Sequence, residues 1–148
     1  MIEFFAFDTA LLSEPDMIVR LVLQFVLLMC SAFFSSSETA LFSLSRLDLQ
    51  QLRREQNPRS ETIHELLDQP RKLIISILSG NELVNIAAAA NMTSILISLY
   101  QPDKVVLINL LVMVPLLLLL GEVTPKTVAV SNPVRYSTRI VAVRYLRP

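Results

Sequence analysis

The chain has little with which to bind a soft metal, close a disulfide or turn tightly. Its 148 residues include one cysteine, Cys30, one histidine, His64, and two glycines, Gly80 and Gly121. A lone cysteine excludes an internal disulfide. Zinc and copper sites want thiolate and imidazole ligands, and here Cys30 lies in an apolar run while His64 lies in a charged loop. No P-loop is present, so these residues carry no motif for ATP-driven work. Charge is also missing locally. The first sixteen residues hold Glu3, Asp8, Glu14 and Asp16 without a base, and from Val123 onward Lys126, Arg135, Arg139, Arg144 and Arg147 stand without an acid. A missing basic n-region argues against a cleaved signal peptide. Basic residues that directly follow an apolar stretch fit one side of a membrane, so no nucleic-acid partner is expected.

What the chain has in excess is apolar side chains, 53% of the total, with a mean hydropathy of +0.54. That is too concentrated for an ordinary soluble fold of this length and predicts a single all-α membrane domain over residues 1–148, with the bilayer as its main partner. Three spans are expected, at about 21–44, 73–100 and 105–121. The loop 45–72 predicts two short helices: Asn57-Pro58 is a turn signal, Ser60 a candidate cap for a helix carrying Ile63, Leu66 and Leu67, and Pro70 its end. Ser131-Asn132-Pro133 predicts a last, juxtamembrane helix over about 132–148 lying along the membrane surface. Three spans put the termini on opposite sides. With the N-terminus outside, eleven of the thirteen bases fall on the inner side, leaving Arg20 and Lys104 outside, which predicts a cytoplasmic C-terminus in a cell (inner) membrane.

Each apolar span carries one acid, Glu38, Glu82 or Glu122. An ionised side chain in a bilayer costs several kcal/mol unless it is paired or lines a wet cavity, so such a residue marks a pathway or binding site. In the threaded topology all three reach similar depth, Glu82 roughly 14 Å in at 1.5 Å per residue. Their neighbours are oxygen donors. Phe33 to Ala40, FFSSSETA, offers three hydroxyls and a carboxylate, suited to a hard ion such as Mg²⁺; its alternative reading is a Ser35-x-x-Glu38 capping box that restarts a broken helix. Asn81 and Asn85 are four apart and share a helix face; the alternative there is packing along Ser76, Gly80, Val84 and Ala88. Pro125 has no N–H, so in an α-helix the carbonyl of Gly121 loses its partner beside Glu122; the alternative is that the proline ends the third span where water satisfies that carbonyl.

Taken in order, FFSSSETALFSLSR, the Pro70-Arg71-Lys72-Leu73 junction, GNELVN and LLLGEVTPKTVAVSNP resemble the transmembrane domain of the CorB/CorC and cyclin-M (CNNM) magnesium transporter family, over residues 20 to 148. The resemblance implies a homodimer of three-helix protomers with a juxtamembrane helical belt, exporting Mg²⁺ and, for some members, coupled to Na⁺. It implies serine ligands at Ser35 and Ser36, a GN-x-LVN stretch at Gly80, Asn81, Val84 and Asn85, and a GE-x-x-PK stretch at Gly121, Glu122, Pro125 and Lys126. Members continue into a cytoplasmic CBS-pair module that binds nucleotide. The sequence stops at Pro148 before any such module, as expected of a piece of a longer protein, so ATP-dependent regulation is not expected in these residues. Ser36 stands where the family often has glycine or alanine.

The expected metal site is therefore Ser35, Ser36, Asn81 or Asn85, Gly121 and Glu122, supported by Glu38, Gly80, Glu82, Pro125 and Lys126, with Mg²⁺ as the transported substrate and Na⁺ as a coupling ion. Two other readings predict different behaviour. A membrane anchor and dimerisation module would use the same clusters structurally. An intramembrane serine hydrolase would need a base within reach of Ser35 to Ser37, and the single histidine lies in the 45–72 loop, so no enzymatic activity is expected.

Overall fold

The computed structural model describes residues 14–54, 59–100 and 102–142, and all its elements are helical. Helix α1 runs Pro15–Phe42, α2 Arg46–Arg54, α3 Ser60–Asp68 and α4 Pro70–Leu99. The third long helix is built of α5, Pro102–Leu116, a π-helical segment, Leu117–Val123, and α6, Thr124–Ser131; α7, Pro133–Ala142, follows. Three helices are long and apolar enough to cross a membrane: Pro15–Phe42, Pro70–Leu99 and Asp103–Ser131.

Proline opens several of these helices. Pro15, Pro70 and Pro133 each sit at the start, where the N–H they lack would be unbonded anyway. Ahead of Leu21, α1 gains a turn and a half in which Arg20 Nε donates to Asp16 at 2.8 Å across one turn. It then runs unbroken through Ser35–Ser37, which removes the capping-box reading of that patch. The reciprocal cap lies further on: the N–H and hydroxyl of Ser45 donate to Asp48 Oδ2 at 2.9 and 2.7 Å, and Asp48 N–H donates back to Ser45 Oγ at 3.1 Å. These bonds hold the Asp48 carboxyl below its ordinary value of 3.8, because they favour the charged form. Ser60 does not cap α3. Arg59 holds the cap position but makes no side-chain cap bond to the helix, and the buried Ser60 hydroxyl has no partner among the described residues. The Asn57-Pro58 turn, the N-terminal acids Glu3 and Asp8, and Arg144 to Pro148 lie outside the described residues.

Pro125 does not end the third span. The helix continues to Ser131, because the chain widens into π geometry before the proline: Thr124 N–H bonds Leu119 five residues back. Residue 125 is the four-residue partner of Gly121 and the five-residue partner of Leu120, and it has no N–H to give either.

The packing divides in two. At one end Leu52 of α2, Ile63 of α3 and Val141 of α7 bury together, with Leu44, Leu49, Leu66, Leu67 and Val134 around them. Each such side chain contributes about 1.5–3 kcal/mol by leaving water. Along the spans the apolar side chains point outward instead, Phe25 66% and Leu83 69% exposed, as a lipid-facing surface requires. Lipid gives no hydrophobic force between helices, so the spans depend on close packing and cross-helix hydrogen bonds. Gly80 allows one close approach, since a Cβ there would lie 2.8 Å from the Phe34 ring; fully buried Ala88 continues the α4 contact face.

Candidate ion site

The three long helices meet at Ser31, a fully buried residue of α1. Its hydroxyl donates to Asn85 Oδ1 at 2.7 Å and lies 3.4 Å from Asn81 Oδ1. From the third helix Gly121 closes on the same atom: a Cβ at Gly121 would stand 2.8 Å from Ser31 Oγ. Only a residue without a Cβ lets the π segment come this near. Oxygens of α1 and α4 and the backbone of the third helix thus converge on one point, beside the stretch where Pro125 withholds the N–H that Leu120 would take in the π register or Gly121 in the α register.

One turn along α1 from Ser31, the Ser35 hydroxyl is 1% exposed as a residue and has no hydrogen-bond partner among the described residues. A buried unpaired hydroxyl costs about 1–3 kcal/mol and calls for an explanation such as an ion or water. Nearby, a groove of about 670 Å³ is lined by Glu38, Asn81, Glu82, Glu122 and Lys126 together with Ser79 and apolar residues of α4. Lys126 Nζ stands 3.6 Å from Glu38 Oε2, partly neutralising that wall. All three span glutamates line this groove. No group of three His, Cys, Asp or Glu side chains is placed to hold a metal among the described residues. A direct site here would need hydroxyl, amide or carbonyl oxygens beside any carboxylate.

The expected residues separate accordingly. Asn81, Asn85 and Gly121 come together at Ser31, with Ser35 next to them on α1; Glu38, Glu82, Glu122 and Lys126 face the groove. Ser36 goes elsewhere. Its hydroxyl donates to the Phe33 carbonyl at 3.0 Å, and it lines a separate, apolar groove with Met29, Phe33, Leu120, Pro125 and Tyr136. Ser37 likewise bonds the Phe33 carbonyl, at 2.6 Å. Gly80 packs against the Phe34 ring. Ser31 was not expected, although a signal existed: Ser31, Ser35 and Glu38 recur at four and three residues and share one face of α1. His64 lies on α3, its Nδ1 2.7 Å from the Ser60 carbonyl.

Residues 22–146 match the cyclin M transmembrane N-terminal domain. The chain belongs to this family. Among relatives of the cyclin M domain, it is 39% identical over 103 residues to the UPF0053 inner membrane protein YfjD of Escherichia coli K12, covering 70% of this chain and 24% of that protein. A UPF0053 protein of Haemophilus influenzae is 37% identical over 116 residues, 78% of this chain and 27% of its own length. A chloroplastic DUF21 domain-containing protein of Arabidopsis thaliana is 36% identical over 107 residues, 72% of this chain and 16% of its own length. The chain thus spans about a quarter or less of these relatives.

Proposed function

We propose that this cyclin M domain is the membrane part of a Mg²⁺ transporter, and that the ion is held at the Ser31 junction by Ser31, Ser35, Asn81, Asn85, the Gly121 carbonyl and, from the groove, Glu122. The observation that carries the reading is the meeting, at one buried hydroxyl, of side-chain oxygens from α1 and α4 with the Gly121 backbone of the third helix. Mg²⁺ takes oxygen ligands at about 2.0–2.1 Å in octahedral array, which sets adjacent ligands about 2.9 Å apart. The 2.7 and 3.4 Å separations around Ser31 Oγ bracket that spacing. The unpaired Ser35 hydroxyl supports a missing ligand at the same place, and the groove of acids supplies an attractive approach.

In this reading the groove opens to the cytoplasm, the N-terminus lies outside and the C-terminus inside, as the distribution of bases favours. Export of Mg²⁺, driven by ion gradients or membrane potential with Na⁺ as a coupling ion, belongs to the full-length protein, working as a homodimer beneath which a CBS-pair module would lie. Direct ligands replace part of the hydration shell, so release demands a second conformation with fewer of them. The Gly80–Phe34 contact and buried Ala88 favour one competing reading, in which the same surfaces only pack helices in an anchor. Transport by the full-length protein carrying Glu122→Gln separates the two: the transporter reading predicts a loss of at least tenfold, and unchanged transport supports the anchor.

A further inference from the structure

Beyond the ion junction, at the far ends of the spans, polar side chains bond to one another across every helix pair. Between α1 and α4, Asn91 Nδ2 donates to Gln24 Oε1 at 2.9 Å and to the Arg20 carbonyl at 3.0 Å, while the Arg20 guanidinium donates to the Ser94 hydroxyl and, at 3.3 Å, to its carbonyl. Between α4 and α5, Asn109 Nδ2 donates to Thr93 Oγ1 at 2.7 Å. Between α1 and α5, the buried Gln24 amide contacts Met113 Sδ at 3.6 Å. Below them Leu96, Val105 and Ile108 bury together. The opposite half of the same three helices holds its polar groups around an open groove.

We infer that the Gln24–Asn91, Arg20–Ser94 and Asn109–Thr93 contacts form a latch that seals the ion junction from the outer side and must part for an ion to leave there. The inference rests on the transport reading for its purpose, and its geometry stands apart from the ion ligands. A structural bundle core would be expected to satisfy its polar atoms fully. This one leaves Asn109 Oδ1 buried with no partner among the described residues and spends a buried amide on a thioether, a weak acceptor. The Gln24–Asn91 and Asn109–Thr93 bonds are neutral and individually weak in a bilayer. Arg20 meets uncharged oxygens of Ser94 while its ion pair with Asp16 lies within α1, so the seal can open without breaking an ion pair between helices. Asn91 reaches both a side chain and a backbone carbonyl of α1, which makes it the central member.

The test uses the full-length protein with Cys30→Ala as background. In one arm, Arg20→Cys and Ser94→Cys are joined by a short reducible bis-methanethiosulfonate. Bridging should slow Mg²⁺ transport in vesicles at least tenfold, with recovery on reduction; undiminished transport across the bridge would overturn the latch. The second arm does not need transport. Ala88 is fully buried one turn from both Asn91 and Asn85, and Ala88→Cys is labelled from the outer face with a charged, impermeant methanethiosulfonate. Adding Asn91→Ala should raise the labelling rate about tenfold, since only an exposed thiolate reacts; equal rates would reject the latch. Absence of Mg²⁺ transport in the reduced, unbridged protein would reject the transport reading, and labelling would still decide the latch.

Discussion

The two halves of the three-helix bundle use polar side chains in opposite ways. Beyond Asn85, Gln24, Asn91, Thr93 and Asn109 turn toward each other and bond across helices. On the side of α2, α3 and α7, Glu38, Glu82, Glu122 and Lys126 line a groove and share one contact, the 3.6 Å approach of Lys126 to Glu38. Cross-helix bonds average about 0.6 kcal/mol in membrane bundles, so the first half gains modest stability. The second half bears charges that cost several kcal/mol wherever they meet lipid and not water or an ion. Polar residues retained at that cost mark the half to which we assign the proposed binding, and Ser31 stands at the border between the two.

The largest effect is expected at that border. Gly121→Ala places a methyl 2.8 Å from Ser31 Oγ, so that the Ser31 hydroxyl must turn off its Asn85 bond or α1 must move from the π segment, at about 1–3 kcal/mol of stability and with loss of measurable Mg²⁺ binding; wild-type affinity in a folded variant would show that the approach is incidental. Pro125→Ala returns an N–H that can bond the Gly121 or Leu120 carbonyl. Mg²⁺ affinity should fall about tenfold, or 1.4 kcal/mol, and a fall no greater than that of Thr127→Ala, at an exposed position of α6, would remove the carbonyl from the ligand set. Lys126→Met frees Glu38 and takes a positive charge from the groove wall, so cation affinity should rise roughly two- to fivefold at low salt and less at high salt. No rise at low salt would mean that the groove does not attract the ion.

The smallest effect lies outside the spans. Asp48 is stabilised as a carboxylate by Ser45, so its folded value is depressed below 3.8. Its contribution is complete above that ordinary value and disappears as pH falls through the depressed one. Thermal unfolding should show Asp48→Asn slightly less stable than the parent at pH 6, with the two converging on acidification; a gap that persists at pH 2 would deny the cap its role.

Much of the architecture was readable because hydropathy and prolines report local physics. Pro70 does follow the end of α3, though it also opens α4 ahead of the expected start at 73; Pro133 does open α7, and the 45–72 loop does fold into α2 and α3. The readings that failed, two of them the alternatives to metal ligation, lay where local chemistry had two outcomes. Pro125 looked like an end because a proline costs an α-helix a bond, whereas the π register had already displaced the bonding pattern. Ser35-x-x-Glu38 looked like a cap because spacing alone does not say whether a helix is interrupted; the working cap was the neighbouring Ser45-x-x-Asp48. Ser60 had the right identity for a cap but turned inward. At the site, Asn81, Asn85 and Gly121 were legible from their motifs, while Ser31 was hidden in LLMCSAFF because its importance lies in what α4 and the π segment bring to it. Ser36 stands apart from the junction for the matching reason: on α1 it is one residue from Ser35 and faces a different groove.

The central claim is that oxygens of Ser35, Asn81, Asn85 and their neighbours jointly hold Mg²⁺ at the Ser31 junction. Titration calorimetry of Mg²⁺ into the detergent-solubilised full-length protein tests it most directly, comparing the parent with Ser35→Ala, Asn81→Ala and Asn85→Ala. The account predicts saturable binding that weakens by about tenfold or more in Asn85→Ala and at least one other variant. Equal affinity in the parent and all three variants would contradict it.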